Sequence, residues 1–135
     1  MKSAEMTLEA IQYWWQKAEE CLESAQREFE ARSYEFVLNR LYYAVFYGAS
    51  AALLDRQQSF KKHSGVRAAF HHEFIKTGLL DIAWGKFYDH LFEDRQEVDY
   101  VAFITFEESY VQQQMAQCKE FLKKLHSLIP ALTDK

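Results

Sequence analysis

Hydrophobic side chains recur along this chain at the three- and four-residue spacing of amphipathic helices. The first stripe predicts a helix over about residues 7–31. A second predicted helix follows the expected N-cap Ser33 and runs to about Asp55, and it is apolar around nearly its whole circumference. We therefore expect the second helix to form the buried centre of a helical bundle. The apolar positions of the first stripe are Leu8, Ile11, Trp15, Ala18, Leu22, Ala25 and Phe29.

Two further helices are predicted beyond a polar break at residues 56–62. A short third helix carries its apolar positions within residues 66–74 and closes at Thr77 and Gly78, because glycine commonly follows the last helical turn. A fourth helix is predicted over about residues 81–95. Its apolar positions are Ile82, Ala83, Phe87, Tyr88 and Leu91.

The last predicted helix begins with a capping-box signature, in which Glu108 follows Thr105 by three residues. Its apolar positions alternate at spacings of four and three, which predicts a long helix that packs along a partner, with the first helix as a candidate. Between the fourth and fifth helices the pattern lapses, and residues 96–105 are predicted to be irregular. The apolar positions of the last helix are Val111, Met115, Cys118, Leu122, Leu125 and Ile129.

The composition agrees with one helical domain. The chain has 135 residues, of which 49% are hydrophobic and 16% aromatic, and this supplies enough apolar surface for a core of its own. One proline and four glycines leave little material for turns. We therefore predict a single all-α domain over residues 1–135, an up-and-down bundle of four long helices plus one short helix.

The formal net charge of −4 gives no attraction to nucleic acid or anionic lipid along the chain as a whole. Any phosphate site therefore has to be local. No apolar run approaches the roughly 18 residues of a membrane span, and the first ten residues lack the apolar centre of a signal peptide. These features predict a soluble cytoplasmic protein, in which Cys21 and Cys118 are reduced thiols in the core.

Three short motifs follow one another along the chain. Residues 40–46 read Arg-x-Tyr-Tyr-Ala-x-Phe, residues 63–66 read His-x-Gly-Val, and residues 95–100 read Arg-x-x-x-Asp-Tyr. In this order the motifs resemble the HEPN family, the "higher eukaryotes and prokaryotes nucleotide-binding" domain, over about residues 7–128. The resemblance is greatest to the small stand-alone prokaryotic members of that family.

The resemblance implies a helical bundle that pairs with itself, encoded beside a minimal nucleotidyltransferase in a toxin-antitoxin module. It also implies a cleft at the dimer interface that contacts the phosphate of a nucleotide or RNA. Many HEPN proteins are metal-independent ribonucleases that carry an arginine followed by four to six residues and a histidine. Here Tyr100 stands where that histidine would be, and the next histidine after Arg95 is His126.

Cleavage of RNA without a metal requires a base, an acid and a cation that stabilises the charge on phosphorus. Arg95 is the candidate cation, because a guanidinium is always charged and its fork fits phosphate oxygens. Asp99 is the candidate base and Tyr100 the candidate acid, but their ordinary pKa values of about 3.9 and 10 lie far from neutrality. The sequence therefore predicts weak or no ribonuclease activity.

The charges around Arg95 also allow a purely structural role. Glu93, Asp94, Glu97 and Asp99 would each repel an incoming phosphate. The fourth helix would then end in a salt bridge, with Arg95 held by Glu97 or Asp99 to fix the loop that follows. The structural role and the phosphate contact are compatible.

Arg40 is a second candidate for phosphate or nucleotide binding. It lies on the apolar second helix, where an unpaired buried guanidinium is costly. We predict that Asp99 or Glu97 pairs with Arg40, which would explain the charged run after the fourth helix.

Tyr100 is predicted to lie at the mouth of the cleft, close to Arg95. The resemblance implies that Tyr100 is a candidate acceptor for a nucleotide transferred by the partner enzyme. The alternative is a structural tyrosine that packs its ring under the loop and hydrogen-bonds a carboxylate.

One basic cluster lies at the predicted start of the third helix. Free backbone N–H groups at a helix N-terminus favour anions, so Lys62, His63, Ser64 and Arg67 are candidate phosphate contacts. The alternative is a solvated loop in which Ser64 caps the helix.

The adjacent His71 and His72 diverge by about 100° on a helix, so no metal site is predicted, and no cofactor motif is found.

Three functions stay open on the sequence alone. The first is a toxin-type module that works with a nucleotidyltransferase, the second a non-catalytic bundle that binds nucleotide or dimerises, and the third a metal-independent ribonuclease. A homodimer is predicted because the aromatic residues exceed what a monomer of this size readily covers, and the fourth helix or the segment after it should form its interface. The aromatic residues in question are Trp14, Tyr47, Trp84 and Tyr88.

Overall fold

The computed structural model describes residues 4–133, and no strand occurs among them. A π-helical turn, His71–Ile75, continues the third helix. Within the described residues, no helix combines the length and hydrophobicity needed to cross a membrane. The predicted all-α helical bundle is confirmed. Its helices are α1 (Ala4–Glu30), α2 (Tyr34–Asp55), α3 (His63–Phe70), α4 (Ile82–Tyr100), α5 (Glu108–Ser127) and α6 (Pro130–Thr133).

Helix α2 is the centre of the bundle, as its hydrophobicity on all sides predicts. It packs against α1, α3, α4 and α5, and Leu38, Leu41 and Tyr42 are among its fully buried side chains. Helices α1 and α2 form a hairpin closed by residues 31–33, where Arg32 adopts a left-handed φ of 62°. Removal of this apolar surface from water is the main favourable contribution to folding.

Helix α5 packs mainly on α2, while its contact with α1 is smaller. Every apolar position predicted for α5 between Val111 and Ile129 is buried. Three positions predicted for the core of other helices are wrong, because Leu8 and Ala83 are exposed and Ile82 is 64% exposed. All three lie near the start of their helices, where a periodic pattern does not ensure that a neighbouring helix covers the apolar face.

Helix α4 is longer than predicted, since it continues through Arg95 and ends at Tyr100. The apolar pattern lapses there because most side chains from residue 96 onward are exposed rather than packed on the core. The helix nevertheless continues, because Gln and Glu are good helix formers and Arg95 lies 3.8 Å from Asp99 one turn later. The irregular segment is therefore residues 101–107, and the predicted range 96–105 is wrong.

The predicted capping box of α5 is also wrong. The helix begins at Glu108, and Glu107 occupies the N-cap position without a side-chain hydrogen bond. The ring of Phe106 stacks on Tyr110, with centroids 6.2 Å apart, and directs the chain into the helix. At the start of this helix the structure shows an aromatic contact and not the capping hydrogen bond predicted for Thr105.

Neither serine predicted as a cap forms a cap hydrogen bond. Ser33 does precede α2, but its side chain does not bond to the helix. Ser64 lies inside α3, whose N-cap position is Lys62. Helix α3 begins at His63, one residue before Ser64, and the ring of His63 stacks on Phe46 of α2.

The two cysteines are buried and are not joined by a disulfide. Burial raises the pKa of both thiols, and Cys118 Sγ lies 3.9 Å from the carbonyl oxygen of Leu41. The prediction that Cys21 and Cys118 are core thiols is confirmed.

Candidate functional site

Arg95 of α4 lies against two adjacent tyrosines of α2. Its Nη2 donates to Oη of Tyr43 at 3.2 Å, and its guanidinium carbon lies 5.0 Å and 5.3 Å from the ring centroids of Tyr42 and Tyr43. Its Nε is 3.8 Å from Oδ2 of Asp99, which is too long for a hydrogen bond, and this nitrogen is buried without a hydrogen-bond partner. Aromatic rings therefore hold the guanidinium, and among the described residues no carboxylate is hydrogen-bonded to it.

His63, the first residue of α3, lies beside Arg95. Its ring stacks on Phe46, with centroids 3.9 Å apart and planes inclined by 20°. Its Nδ1 is 3.0 Å from Oη of Tyr42. Burial, and after it the positive charge of Arg95, lower the pKa of His63 below its ordinary value. His63 is therefore neutral at neutral pH, and it lies close enough to Arg95 for the two groups to interact electrostatically.

The position of the proton on His63 follows from Tyr42. Burial raises the pKa of Tyr42 to about 12, so its phenol stays protonated. Among the described residues, Nδ1 of His63 is the hydrogen-bond partner of this phenol. We therefore assign the Tyr42 O–H as the donor to Nδ1, which puts the imidazole proton on Nε2. This tautomer gives His63 a neutral N–H group that can donate to an anion.

Two of the carboxylates near Arg95 in sequence are distant from it around the helix. Residues two positions apart on an α-helix lie about 160° apart around its axis, so Glu93 and Glu97 face away from Arg95. Both line a shallow surface depression together with Tyr100. The repulsion of phosphate expected from the sequence is therefore weaker at Arg95 than the number of carboxylates suggests.

Asp94 is bound to α5. It accepts a hydrogen bond of 2.5 Å from Oη of Tyr110, and burial raises the pKa of its carboxyl group. Of the four carboxylates in this run, Asp99 is the one that contacts Arg95 in the described structure. Asp99 is thus positioned to orient Arg95, as one of the sequence interpretations holds.

The predicted ion pair between Arg40 and Asp99 or Glu97 is wrong. Arg40 lies in a groove between α1 and α2 that is also lined by Lys17, Glu20 and Arg27. Within the described residues Arg40 forms no ion pair. Its side chain is only partly buried, so water can solvate the charge and no carboxylate is required.

Arg67 is bound to a carboxylate that the sequence interpretation missed. Its Nη1 lies 2.8 Å from Oδ1 of Asp89, and its guanidinium carbon is 4.0 Å from the ring centroid of Phe92. Nε2 of His71 lies 3.0 Å from the same Asp89 oxygen. This cluster joins α3 and the π-helical turn to α4. Because its charge is already paired, Arg67 is less suited than Arg95 to bind phosphate.

The remaining candidate residues lie at the surface. Lys62 and Ser64 flank His63 at the exposed start of α3. Tyr100 is 83% exposed, so the alternative in which its ring packs under the loop is wrong. Within one chain Tyr100 lies about 140° around α4 from Arg95. Its location at the mouth of a cleft between two subunits stays a prediction.

Sequence reasoning did not single out Tyr42 and Tyr43 as site residues. Two adjacent tyrosines on a buried helix are nevertheless a usable signal, because each buried hydroxyl needs a polar partner. Those partners are His63 for Tyr42 and Arg95 for Tyr43.

Among residues 4–133, no group of three or more His, Cys, Asp or Glu side chains is arranged to hold a metal ion.

Comparison with known proteins establishes the family, since the HEPN domain matches residues 11–128. This chain belongs to the HEPN family. A UPF0332 protein of Thermotoga maritima is 43% identical over 122 residues, which cover 90% of this HEPN chain and 92% of that protein. The "Putative toxin MJ0142" of Methanocaldococcus jannaschii is 35% identical over 109 residues, which cover 81% of this chain and 74% of that protein.

The three motifs that resemble the family meet at one place in this HEPN domain. The first supplies Tyr42 and Tyr43 from α2, the second supplies His63 from α3, and the third supplies Arg95 and Asp99 from α4. The result is a cation and a neutral imidazole held side by side on an aromatic support.

Proposed function

We propose that this HEPN domain is a toxin-type module that contacts the phosphate of a nucleotide or RNA and works with a minimal nucleotidyltransferase. The observation that carries the proposal is the position of Arg95, which is held by Tyr43 beside the neutral His63. The relative from Methanocaldococcus jannaschii, whose name contains the word toxin, supports the class of function.

The phosphate contact combines a charged and a neutral donor. The guanidinium of Arg95 offers a planar fork that matches two phosphate oxygens, and such charge-assisted bonds are stronger than neutral ones. The Nε2–H of His63 adds a neutral donor next to it. The exposed ammonium of Lys62 at the start of α3 adds attraction at longer range.

We further propose that the module is a homodimer with Arg95 in the cleft between subunits. Exposed apolar side chains follow directly after the end of α4, namely Val101 and the fully exposed Phe103. Such residues are typical of interfaces when they lie close together. Tyr88 does not contribute to this argument, because it is completely buried within one subunit.

Sedimentation of the purified protein at tens of micromolar tests the dimer, and the expected species has twice the mass of the chain. Phe103→Ser should weaken dimerisation at least about tenfold if this ring is an interface anchor. Phe36→Ser, which changes an exposed phenylalanine of α2, is the matched control. A monomer throughout this concentration range would refute the dimer.

Tyr100 is the residue to which the nucleotidyltransferase is proposed to attach a nucleotide. Its exposed phenol oxygen would attack the α-phosphorus of a nucleoside triphosphate, with release of pyrophosphate and of the phenolic proton. The attached phosphodiester carries a negative charge. In the paired subunits that charge would compete with substrate phosphate for Arg95 and so inhibit the module.

Induced expression in bacteria, with and without the proposed nucleotidyltransferase partner, tests both halves of this proposal. Growth should stop with the module alone and recover with the partner, and intact-mass spectrometry should show one added nucleotide. Tyr100→Phe should lack the adduct, whereas Tyr13→Phe, which changes another exposed tyrosine, should keep it. An adduct that survives Tyr100→Phe excludes Tyr100, and unaffected growth excludes a toxin.

Metal-independent RNA cleavage is a second candidate function, and His63 is the observation that favours it. The sequence lacks a histidine at the family spacing of four to six residues after Arg95, and His63 places an imidazole beside Arg95 instead. As a base, His63 would need the other tautomer, in which Nδ1–H donates to the Tyr42 oxygen and Nε2 takes the proton of the 2'-hydroxyl. Asp99 and Tyr100 would then be unnecessary as base and acid.

The pH dependence of cleavage tests this role of His63. Because its pKa is lowered, neutral His63 persists as the pH falls through the ordinary histidine value of about 6.5, and activity should decline only below it. Cleavage of single-stranded RNA in the presence of a chelator should drop at least about 100-fold in His63→Gln. The exposed His72→Gln is the control. Full activity of His63→Gln would contradict the role of His63 as the base. If the parent chain does not cleave RNA at all, metal-independent cleavage is excluded, as the sequence predicts.

A further inference from the structure

The last two turns of α4 are tied to the bundle by polar contacts on two sides. Leu91 is the last residue of α4 whose side chain is fully buried. Beyond it, Asp94 is hydrogen-bonded to α5 and Arg95 is hydrogen-bonded to α2. Consecutive residues of an α-helix project about 100° apart, so the two side chains hold this end of α4 from different directions.

The contact between α4 and α5 is short and has a fixed donor. Oη of Tyr110 lies 2.5 Å from Oδ2 of Asp94, a distance typical of a hydroxyl that donates to a carboxylate. Burial, and after it the hydrogen bond to Asp94, raise the pKa of Tyr110 far above its ordinary value, so its phenol stays protonated. Among the described residues, this is the hydrogen bond that joins α4 to α5.

Tyr110 is itself held in place at the start of α5. Its ring stacks on Phe106, with centroids 6.2 Å apart and planes inclined by 16°. Two residues earlier, Glu108 accepts a hydrogen bond of 2.9 Å from Oη of Tyr34 at the start of α2. The bond that Tyr43 accepts from α4 completes a closed ring, in which tyrosine hydroxyls link α2 to α5, α5 to α4 and α4 back to α2.

We propose that Tyr110 is a positioning residue for Arg95. Its hydrogen bond to Asp94 sets the rotation of the last turns of α4 and so holds the guanidinium of Arg95 on Tyr43. Without this bond the guanidinium is free to turn toward the carboxylate of Asp99, one turn along the same helix. The position of the guanidinium does not depend on what Arg95 binds, whereas an effect on RNA binding rests on the proposed function.

Nuclear magnetic resonance of the full chain tests this position directly. Nε of Arg95 is buried beside the rings of Tyr42 and Tyr43, whose ring currents should separate its N–H signal from those of exposed arginines. Loss of the signal in Arg95→Lys assigns it. Tyr110→Phe should move the signal toward those of exposed arginines. Tyr34→Phe, which removes the other tyrosine–carboxylate bond of α5, should leave it in place.

Binding of single-stranded RNA, measured by fluorescence anisotropy, tests the consequence. Tyr110→Phe should weaken binding about fivefold, the effect of one net hydrogen bond. It should cause no further loss in the Arg95→Ala background, because effects that act through one group are not additive. Tyr34→Phe should bind as the parent chain does, and circular dichroism should show the same helix content in each variant.

Two variants of Asp94 separate the hydrogen bond from the charge. Asp94→Ala should weaken RNA binding as Tyr110→Phe does, although removal of a carboxylate would by charge alone favour RNA. Asp94→Asn keeps an oxygen that can accept from the phenol, so it should retain RNA binding and the Arg95 signal of the parent chain.

Each combination of results decides the role of Tyr110. A moved Arg95 signal in Tyr110→Phe and Asp94→Ala, with the signal retained in Asp94→Asn, supports it. An unmoved signal in either, equal movement in Tyr34→Phe or Asp94→Asn, or a loss of RNA binding that adds to that of Arg95→Ala overturns it. If the parent chain does not bind RNA, the proposed phosphate contact fails, and the Arg95 signal still decides the positioning role. A moved signal with full RNA binding supports that role and contradicts the phosphate contact.

Discussion

Replacing Arg95 by alanine is expected to abolish growth inhibition and to weaken binding of single-stranded RNA at least about tenfold. The reason is that Arg95 supplies the charged donors of the proposed phosphate contact, and a hydrogen bond to a charged group contributes about 1.5–3 kcal/mol. Fluorescence anisotropy with a labelled oligoribonucleotide measures the binding, and induced expression in bacteria measures the growth effect.

Two companion variants separate the role of Arg95 from general effects of charge. Lys86→Ala removes an exposed cation from the same helix and should leave both readouts unchanged. Arg95→Lys keeps the charge but loses the planar fork, so it should bind RNA more weakly than the parent chain and more tightly than Arg95→Ala. If Arg95→Ala binds RNA and stops growth as the parent chain does, the proposed site is refuted.

Replacing Phe121 by alanine is expected to destabilise the bundle by about 3–5 kcal/mol, the usual cost of truncating a buried aromatic side chain. Phe121 of α5 is buried, and its ring centroid lies 5.5 Å from Phe70, 5.8 Å from Phe87 and 6.0 Å from Trp84. The truncation would therefore leave a cavity where α3, α4 and α5 meet. Because domains are stable by only about 5–15 kcal/mol, this is a large share of the total.

Urea unfolding followed by circular dichroism measures the destabilisation caused by Phe121→Ala. Phe36→Ala makes the same chemical change at an exposed position of α2 and should alter the free energy of unfolding by less than about 0.5 kcal/mol. Phe121→Leu, which leaves a smaller cavity, should lie between the two. A loss below about 1 kcal/mol for Phe121→Ala would show that the site collapses around the missing ring.

The aromatic support explains how one arginine can be held firmly and still offer donors to a ligand. A carboxylate that formed short hydrogen bonds with Arg95 would compete with phosphate for the same N–H groups. Tyr42 and Tyr43 instead contact the guanidinium through their rings and through one hydroxyl, and the nearest carboxylate, Asp99, stays at 3.8 Å. Arg67 shows the opposite arrangement, since Asp89 binds it at 2.8 Å.

The sequence by itself determined the helices and the central position of α2, because the spacing of apolar residues reports which face of each helix leaves water. It also identified Arg95 and His63 as candidates, since charge and ring chemistry are properties of single residues. Helix ends were less predictable: α4 continues past its apolar pattern to Tyr100, and α5 begins where Phe106 packs on Tyr110. Such ends depend on local packing and charge pairs that periodicity does not report.

Only the tertiary structure decided which candidates lie together. Arg95 meets Tyr43 across 52 positions of sequence, and His63 meets Tyr42 across 21. Periodicity fixes the buried face of one helix but not the neighbour against which that face packs or the relative rotation of the two helices. The packing of complete side chains sets both, and this is why Arg40 lies in the groove against α1 while Arg95 lies beside His63.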